Sequence, residues 1–247
     1  MPFVVAPIHR RSPLLLRRRL RALGVRDAAA VLRDLETSGI DARVDAAGAE
    51  YAALAPAFAA GAIYHAEGAL LYGVVRGLEP STIVETGTAS GISTTYLLAA
   101  LAHNDAGRLV SIDLPFAAGA DGSLEAIVPG TSIDHYDASP LPAGREPGWA
   151  IPKELRERWE LRLGNARELL PALLAEVGEI GLFFHDSLHT REHMLFEFET
   201  AWPHIAPGGV LVADDIFQRK HDALPVFARS VGRPFATFGN LGIVVKR

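Results

Sequence analysis

Residues 82–93 read TIVETGTASGIS, an apolar run that stops at an acid and is followed by a glycine-rich turn. The acid is Glu85, and small residues fill the turn between Gly87 and Gly91. In an open parallel sheet, ligands bind beyond the carboxyl ends of the strands, and glycines there let the backbone approach a ligand. The stretch therefore predicts a strand, a ligand-binding turn and a helix whose first N–H groups face the ligand. The alternative is a tight turn without a ligand, because G-x-x-x-G departs from the dinucleotide-binding spacing.

The order of strand and then helix repeats through the rest of the chain. Such an alternation predicts a parallel sheet that helices cover on both faces. Near the C-terminus, RPFATFGNLGIVVKR (residues 233–247) holds two apolar runs joined by Gly-Asn, which predicts a hairpin and an antiparallel final strand. The expected strands are 82–86, 108–113, 160–163, 180–185 and 209–214, and the expected helices are 62–78, 91–102, 165–176 and 188–203, after a short helix that ends at Gly39.

The composition favours a soluble, cytoplasmic protein. The 247 residues include no cysteine, which excludes disulfides and thiolate metal sites. No apolar run reaches the ~18 residues of a membrane span, so no membrane partner is expected. Residues 1–26 hold seven arginines and no acid, which leaves 17 basic against 29 acidic residues in the remainder. This acidity argues against nucleic acid as a partner.

The charge asymmetry suggests two parts in the chain. Residues 1–45 are predicted to form a basic helical arm whose leucines pack on a partner subunit, so a homo-oligomer is expected; the alternatives are a nucleic-acid patch or a transit-like leader. Residues 46–247 are predicted to form a single domain. Within it, residues 114–151 are rich in Gly, Pro and Asp, which is typical of a lid or a disordered insertion. Trp149 and Trp159 suit packing on a substrate ring, or pinning the insertion to the core.

Two acids lie at the ends of the first two predicted strands. Glu85 would repel a phosphate, so a ligand with positive charge or with ammonium and hydroxyl donors is favoured. Asp113 ends the next strand, where a carboxylate can accept hydrogen bonds from both hydroxyls of a ribose. The alternative for Asp113 is a helix cap or a surface turn.

The segments VETGTASGISTTYLLAAL (residues 84–101) and GRLVSIDLP (residues 107–115) resemble the class I S-adenosylmethionine (SAM) dependent methyltransferases. The resemblance runs from about residue 60 to the C-terminus. It implies a Rossmann-like, doubly wound α/β fold with helices on both faces of a mostly parallel seven-stranded sheet. The last strand would be antiparallel, and the strand order would be 3-2-1-4-5-7-6.

The same resemblance implies where SAM would bind. Ser93 would reach the carboxylate of its methionine part, Glu85 would lie near the amino group, and Asp113 would bind the ribose. In LRLGNARELLPAL (residues 161–173), Asn165 and Ala166 would lie beside the adenine, although Asn165 could instead be an ordinary helix N-cap. The turn that would line the methionine consists of Gly87, Thr88, Ala89, Ser90 and Gly91.

Three further acids follow later strands. Asp186 follows the strand 180–185, and Asp214 and Asp215 lie at the end of the next strand. Neighbouring strands would bring them to one edge of the sheet, where three like charges are unfavourable unless a cation joins them. Carboxylate oxygens suit a hard ion such as Mg2+. The alternatives are that Asp186 caps a helix and that the Asp-Asp pair ends a strand in a turn.

These acids resemble the metal site of the metal-dependent O-methyltransferases, both the catechol type and the group with macrolide-sugar methyltransferases and cephalosporin hydroxylase-like proteins. In that pattern Asp186, Asp214 and Asp215 would hold the metal, and Asp186 would also contact SAM. The basic residue three positions after the first ligand, His189, would accept the substrate proton, unless it is a surface helix residue. The expected function is Mg2+-assisted methylation of a hydroxyl on a small molecule, a secondary-metabolite sugar or a phenol.

Three other functions stay open at this point. The protein could be a methyltransferase without a metal, or a SAM-binding protein without turnover. It could also be a zinc hydrolase, because HTREH (residues 189–193) has the H-x-x-E-H pattern of zinc peptidases, with His189 and His193 as ligands and Glu192 as the base. Such a site needs a third ligand, and no glutamate occurs after Glu199.

Overall fold

The structure is a computed structural model that describes residues 13–56, 63–119, 123–131, 140–217 and 222–247. The α-helices are α1 (Pro13–Ala22), α2 (Ala28–Ser38), α3 (Ile40–Leu54), α4 (His65–Leu78), α5 (Ile92–Asn104), α6 (Ala166–Val177), α7 (Arg191–Ala201) and α8 (Ala223–Ser230). The strands are β1 (Thr82–Thr86), β2 (Arg108–Asp113), β3 (Phe116–Ala118), β4 (Leu124–Ala126), β5 (Trp159–Leu163), β6 (Ile180–His185), β7 (Ile205–Ala213), β8 (Phe235–Phe238) and β9 (Leu241–Val245). Short 3-10 helices span Lys153–Arg158 and Trp202–His204.

Seven of the described strands form one sheet in the order β5-β2-β1-β6-β7-β9-β8. The first five run parallel, and β9 pairs antiparallel with both β7 and β8. When the strands of this sheet are numbered along the chain, the order is 3-2-1-4-5-7-6, so the predicted topology is confirmed. The order reverses on either side of β1, and a ligand crevice is therefore expected beyond the carboxyl ends of β1 and its neighbours.

Two hydrophobic clusters cover the two faces of the sheet. On one face Ile83 and Phe184 pack with residues of α1, α2, α4 and α5. On the other face Val84 and Phe183 pack with residues of α6, α7 and α8. Because helices cover both faces, the central strands are continuous apolar runs. The predicted helix-sheet-helix layering is therefore confirmed.

Some elements were not predicted from the sequence, namely α3, α8 and the small β3–β4 hairpin. α3 buries only Ile40, Ala47 and Tyr51, so it lacks the continuous apolar stripe that reveals a helix. Other elements have shifted bounds. β7 begins at Ile205 rather than at 209, and the helix predicted over 188–203 begins at Arg191 and becomes a 3-10 helix at Trp202.

The N-terminal region packs on α4 through α1. Leu16 and Leu20 are buried, and a Cβ at Gly73 of α4 would lie 2.6 Å from the side chain of Leu20. Leu14 is 76% exposed. The predicted boundary after residue 45 falls inside α3. The first twelve residues of the arm lie outside the described residues, and its contact with a partner subunit stays a prediction.

Membrane insertion was not expected from the sequence. Across the described ranges, no helix combines the length and the apolar character needed to cross a bilayer. The start of the helix predicted from residue 62 lies outside the described residues, and α4 begins at His65.

Candidate active site

The turn between β1 and α5 comes very close to other parts of the same chain. Gly87 has a φ of 87°, and a side chain there would collide with the backbone carbonyl oxygen of Asp186. Gly91 has a φ of 88°, and a Cβ there would lie 2.6 Å from Cγ1 of Ile151. Both positions therefore require glycine, for the positive φ and for the lack of a side chain. The close approach indicated by the sequence pattern is made by the end of β6 and by the insertion.

The end of the insertion is fastened to this turn. The N–H of Ala150 donates a hydrogen bond to the carbonyl oxygen of Ser90 at 3.0 Å, and Nε1 of Trp149 donates one to the Ser90 hydroxyl at 3.0 Å. Of the two interpretations of Trp149, the structure shows the one in which it pins the insertion. Residues 120–122 and 132–139 lie outside the described residues, so a lid over the site stays a prediction.

Glu85 lies fully buried beneath the turn. Its carboxylate accepts hydrogen bonds from the hydroxyls of Ser93 at 3.1 Å, Thr94 at 2.9 Å and Ser111 at 2.6 Å. Burial raises the pKa of Glu85 to about 7; the three hydroxyl donors oppose the rise, and the charge of Asp113 adds to it. Glu85 therefore links β1 to α5 and β2 from inside the protein.

A cavity opens beyond the carboxyl ends of β1, β2, β5 and β6. Apolar side chains such as Leu114, Phe116 and Leu188 form part of its wall. The predicted cofactor-binding residues that line it are Gly87, Ala89, Asp113, Asn165, Ala166 and Asp186. The predicted cofactor-binding residues that form or underlie the turn, and are not among the described lining residues, are Glu85, Thr88, Ser90, Gly91 and Ser93.

Asp113 lies at the edge of this cavity with 8% of its surface exposed. Its Oδ2 accepts a hydrogen bond from the N–H of Ala89 at 3.1 Å. Burial raises the pKa of Asp113 to about 6, and backbone N–H groups of Thr88, Ala89 and Leu114 oppose the rise. A nearly buried carboxylate in a cavity wall is suited to accept hydrogen bonds from the hydroxyls of a ligand.

Asn165 combines the two roles considered for it. Its Oδ1 accepts a hydrogen bond from the N–H of Arg167 at 2.9 Å, which caps the start of α6. Asn165 also lines the cavity together with Ala166. The cap fixes the turn after β5, and the fixed turn forms one end of the cavity.

The predicted metal ligands lie within electrostatic reach of one another. Burial raises the pKa of Asp214 to about 8, and the charges of Asp215 and Glu67 add to the rise. Burial, followed by the charges of Asp214 and Asp215, raises the pKa of Asp186 well above its usual range. Negative charges so placed are stabilised by a cation.

The donor chemistry of these acids fits a hard divalent ion. Oδ1 of Asp214 is buried and has no hydrogen-bond partner among the described residues. Oδ1 of Asp215 accepts a hydrogen bond from Nδ2 of Asn240 at 3.1 Å, and Asp215 has a φ of 49°. However, within the described ranges no group of three or more Asp, Glu or His side chains is placed to hold a metal. The buried oxygen of Asp214 is the observation that fits Mg2+.

His189 lies just before α7, whereas the sequence placed it on a helix. It is 4% exposed, and its Nε2 lies 3.8 Å from Oδ1 of Asp186. Its ring meets that of His185 edge to face, with 5.3 Å between the ring centroids. His189 therefore adjoins a residue that lines the cavity, and is not itself among the described lining residues.

A buried network around Glu197 was not found from the sequence. The Glu197 carboxylate accepts four hydrogen bonds, from Nδ1 of His185 and the Thr86 hydroxyl, both at 2.6 Å, and from Nε2 of His193 and the Ser187 hydroxyl, both at 2.8 Å. Burial raises the pKa of Glu197, but the attraction of His185 and His193 and their hydrogen bonds outweigh burial and hold the pKa well below its usual range. The i, i+4 spacing of His193 and Glu197 is the one sequence signal, and it does not reveal the contacts with β1 and β6.

The HTREH segment (residues 189–193) does not form the zinc site that its H-x-x-E-H pattern suggests. The side chain of Glu192 is 87% exposed and pairs with Arg167 at 3.4 Å. Nε2 of His193 is held by Glu197 at 2.8 Å. The described residues therefore give no support to a zinc hydrolase.

The sheet order, the glycine turn after β1 and the acid at the end of β2 together define the class I SAM-dependent methyltransferases. A protein-family profile described as "Methyltransferase domain" matches residues 84–216, more than half of the 247 residues. The chain belongs to this methyltransferase family.

Solved structures share the fold at low sequence identity. A putative O-methyltransferase from Klebsiella pneumoniae is 17% identical, with a TM-score of 0.55 over 83% of this chain and 90% of that chain. An O-methyltransferase from Bacillus cereus, in complex with SAH (S-adenosylhomocysteine), is 19% identical, with a TM-score of 0.53 over 83% and 91% of the two chains. TomG from Streptomyces achromogenes, an O-methyltransferase involved in tomaymycin synthesis and solved with SAM, is 19% identical, with a TM-score of 0.52 over 83% and 89%. A search among curated proteins found no match.

Proposed function

We propose that the cavity binds SAM and that the protein transfers the methyl group of SAM to a hydroxyl oxygen of a small molecule. The observation that carries this proposal is that Asp113, Asn165 and Asp186, which lie at or just after the ends of three different strands, line one cavity. The solved structures support it, because the Bacillus cereus and Streptomyces achromogenes proteins are O-methyltransferases with SAH or SAM bound.

Each end of the cavity suits one part of SAM. Asp113 would accept hydrogen bonds from the ribose hydroxyls. Asn165 and Ala166 would lie beside the adenine, and Gly87 and Ala89 would face the methionine part. The apolar wall excludes water from the nucleoside, which strengthens the polar contacts at both ends.

The predicted cofactor residues outside the cavity wall would act through the shape of the turn. Glu85 holds the hydroxyl of Ser93, and Ser90 accepts hydrogen bonds from the insertion. The N–H of Thr88 bonds to Asp113, and Gly91 lets the insertion approach. We propose that these residues keep the turn in the form that receives the methionine part of SAM.

On the acceptor side, Asp186, Asp214 and Asp215 would hold Mg2+, which when bound lowers the pKa of the acceptor hydroxyl. His189, beside Asp186, would accept the hydroxyl proton. The acceptor oxygen would then bond to the methyl carbon as the carbon–sulfur bond breaks, which would leave SAH. Holding the two reactants in line supplies up to ~7–11 kcal/mol of the barrier reduction in the best-oriented cases. The proposed acceptor is a secondary-metabolite sugar or a phenol.

A methyltransferase that needs no metal is the second candidate. It is favoured by the observation that the described acids are not gathered into one ligand set. In that case His189 and Asp186, 3.8 Å apart, would handle the proton without a cation. A SAM-binding protein without turnover would bind SAH in the same cavity but would methylate no acceptor.

Calorimetric titration with SAH, and separately with Mg2+, tests the site. Asp113→Asn is expected to weaken SAH binding at least about tenfold, because it removes a charged acceptor. Asp214→Asn is expected to keep SAH binding and to lose Mg2+ binding. Asp105→Asn is the matched control, since the side chain of Asp105 is 94% exposed. If both site variants bind both ligands as the wild type does, the site is wrongly assigned.

Turnover separates the candidate functions. Methyl transfer from SAM to a panel of phenols and sugars would be measured with and without a chelator. Activity that the chelator abolishes and Mg2+ restores supports the metal-assisted reaction. Activity that survives chelation supports the second candidate, and SAH binding without methylation of any acceptor supports the non-catalytic one.

A further inference from the structure

His193 lines the cavity but has no part in the function proposed above. It is 5% exposed, and its Nε2 lies 2.8 Å from Oε1 of Glu197. Its Nδ1 is buried and has no hydrogen-bond partner among the described residues. Buried polar atoms in native proteins are nearly always paired, so the unpaired Nδ1 of a residue that lines the cavity points to a partner on a ligand.

Glu197 determines which atom of His193 is left to bind. Its ionised carboxylate only accepts hydrogen bonds, so Nε2 of His193 carries the hydrogen. In the neutral ring Nδ1 then carries a lone pair and acts as an acceptor. The hydrogen bonds from His185, Thr86 and Ser187 restrain the carboxylate, which in turn restrains the orientation of the His193 ring.

His193 lies at the end of the cavity where the adenine is proposed to bind. Arg167, at the start of α6, pairs with Glu192 at 3.4 Å, and its guanidinium lies 5.0 Å from the ring centroid of Phe196. The first turns of α6 and α7 are therefore in contact. His193 lies between Glu192 and Phe196 on α7, and Ala166, the proposed neighbour of the adenine, precedes Arg167 on α6.

We infer that Nδ1 of His193 accepts a hydrogen bond from the 6-amino group of the cofactor's adenine. This inference rests on the proposed SAM site. In an adenine joined to ribose through N9, the 6-amino group carries the only N–H donors, so a fixed acceptor at this end of the cavity selects it. His193 is then a specificity-determining residue for the cofactor, and Glu197 is the residue that positions it.

Calorimetric affinities for SAH and for its 6-deamino analogue, in which purine replaces adenine, test the inference. The wild type is expected to bind SAH about tenfold more tightly than the analogue. His193→Phe keeps a ring but has no acceptor, so it should bind the two ligands with equal affinity. His193→Gln has an amide oxygen that can accept, and it should recover part of the preference. The control is His204→Phe, because His204 lies just before β7 at the opposite edge of the sheet. This variant should keep the full wild-type preference for SAH over the analogue.

The preference for SAH over the analogue is a ratio, so a general loss of packing does not move it. Equal binding of both ligands by the wild type overturns the inference and leaves the SAM site standing. So does a tenfold preference that persists in His193→Phe. A wild type that binds neither ligand overturns both. If the His193 variants do not fold, equal binding of both ligands by the wild type still overturns the inference.

Discussion

At the level of single residues, the site contains buried acids whose ionised forms destabilise the ligand-free protein. Burial raises the pKa of Glu85 to about 7, of Asp113 to about 6 and of Asp214 to about 8. The pKa of each acid is higher in the folded protein than in the unfolded chain. At pH values between the two, the folded protein therefore holds protons that the unfolded chain has lost. These acids therefore lower the free energy of unfolding as the pH rises from about 4 to about 8. A bound ligand that offers hydroxyl donors or positive charge offsets that cost.

Asp113→Asn should stabilise the ligand-free protein at pH 8. A carboxyl whose pKa rises from 3.8 to about 6 costs at most roughly 3 kcal/mol there, and Asn carries no charge to desolvate. Urea unfolding at a series of pH values should show a smaller loss of stability between pH 4 and 6 than in the wild type. Asp105→Asn should follow the wild-type profile. A variant that is less stable than the wild type at pH 8 would show that Asp113 serves the fold rather than a ligand.

Glu197 is the opposite case, because its pKa is held below the usual range by its partners. Glu197→Ala would leave four donors without an acceptor, three of them on buried residues, and we expect a loss of about 3–5 kcal/mol in the free energy of unfolding. The control is Glu192→Ala on the same helix, where the side chain is 87% exposed and the change should stay within about 0.5 kcal/mol. Equal urea midpoints for the two variants would contradict the network.

At the level of elements, the β1–α5 turn is shaped by what it touches within the chain. Gly87→Ala would place a methyl group against the carbonyl oxygen of Asp186 at a φ of 87°. Gly39→Ala is the matched control, since Gly39 has a φ of 73° in the left-handed region and nothing lies within 4 Å of the added Cβ. The control should cost about 1–2 kcal/mol from backbone strain alone, and Gly87→Ala clearly more. Urea unfolding that gives both variants the same stability would mean that the contact does not constrain the turn.

How well an element could be predicted depended on how its burial appears in the sequence. β1, β2 and β6 are apolar runs that end abruptly at polar residues, and their predicted bounds agree with the structure. α3 was not predicted because its buried residues are too sparse to form an apolar stripe. α8 was not predicted because it is short and contains Pro225. The glycines at 87 and 91 predicted that some group comes close to the backbone of the turn. The sequence did not reveal that this group is Asp186 at Gly87 and Ile151 at Gly91.

At the level of the whole molecule, topology brings together what the sequence separates. Asp113, Asn165 and Asp186 could be placed in one site because the ends of parallel strands meet at one edge. The network of His185, Glu197 and Thr86 could not, because it depends on which face of α7 meets the sheet. The sparse patterning of a short helix does not reveal that face.

A crystal structure of the protein grown with SAH would show whether the acids at this edge of the sheet receive the cofactor. We expect SAH in the cavity, with its ribose hydroxyls about 2.5–3.0 Å from the carboxylate of Asp113 and its adenine beside Ala166. SAH bound elsewhere on the molecule, or a cavity that stays empty at saturating SAH, would contradict the account.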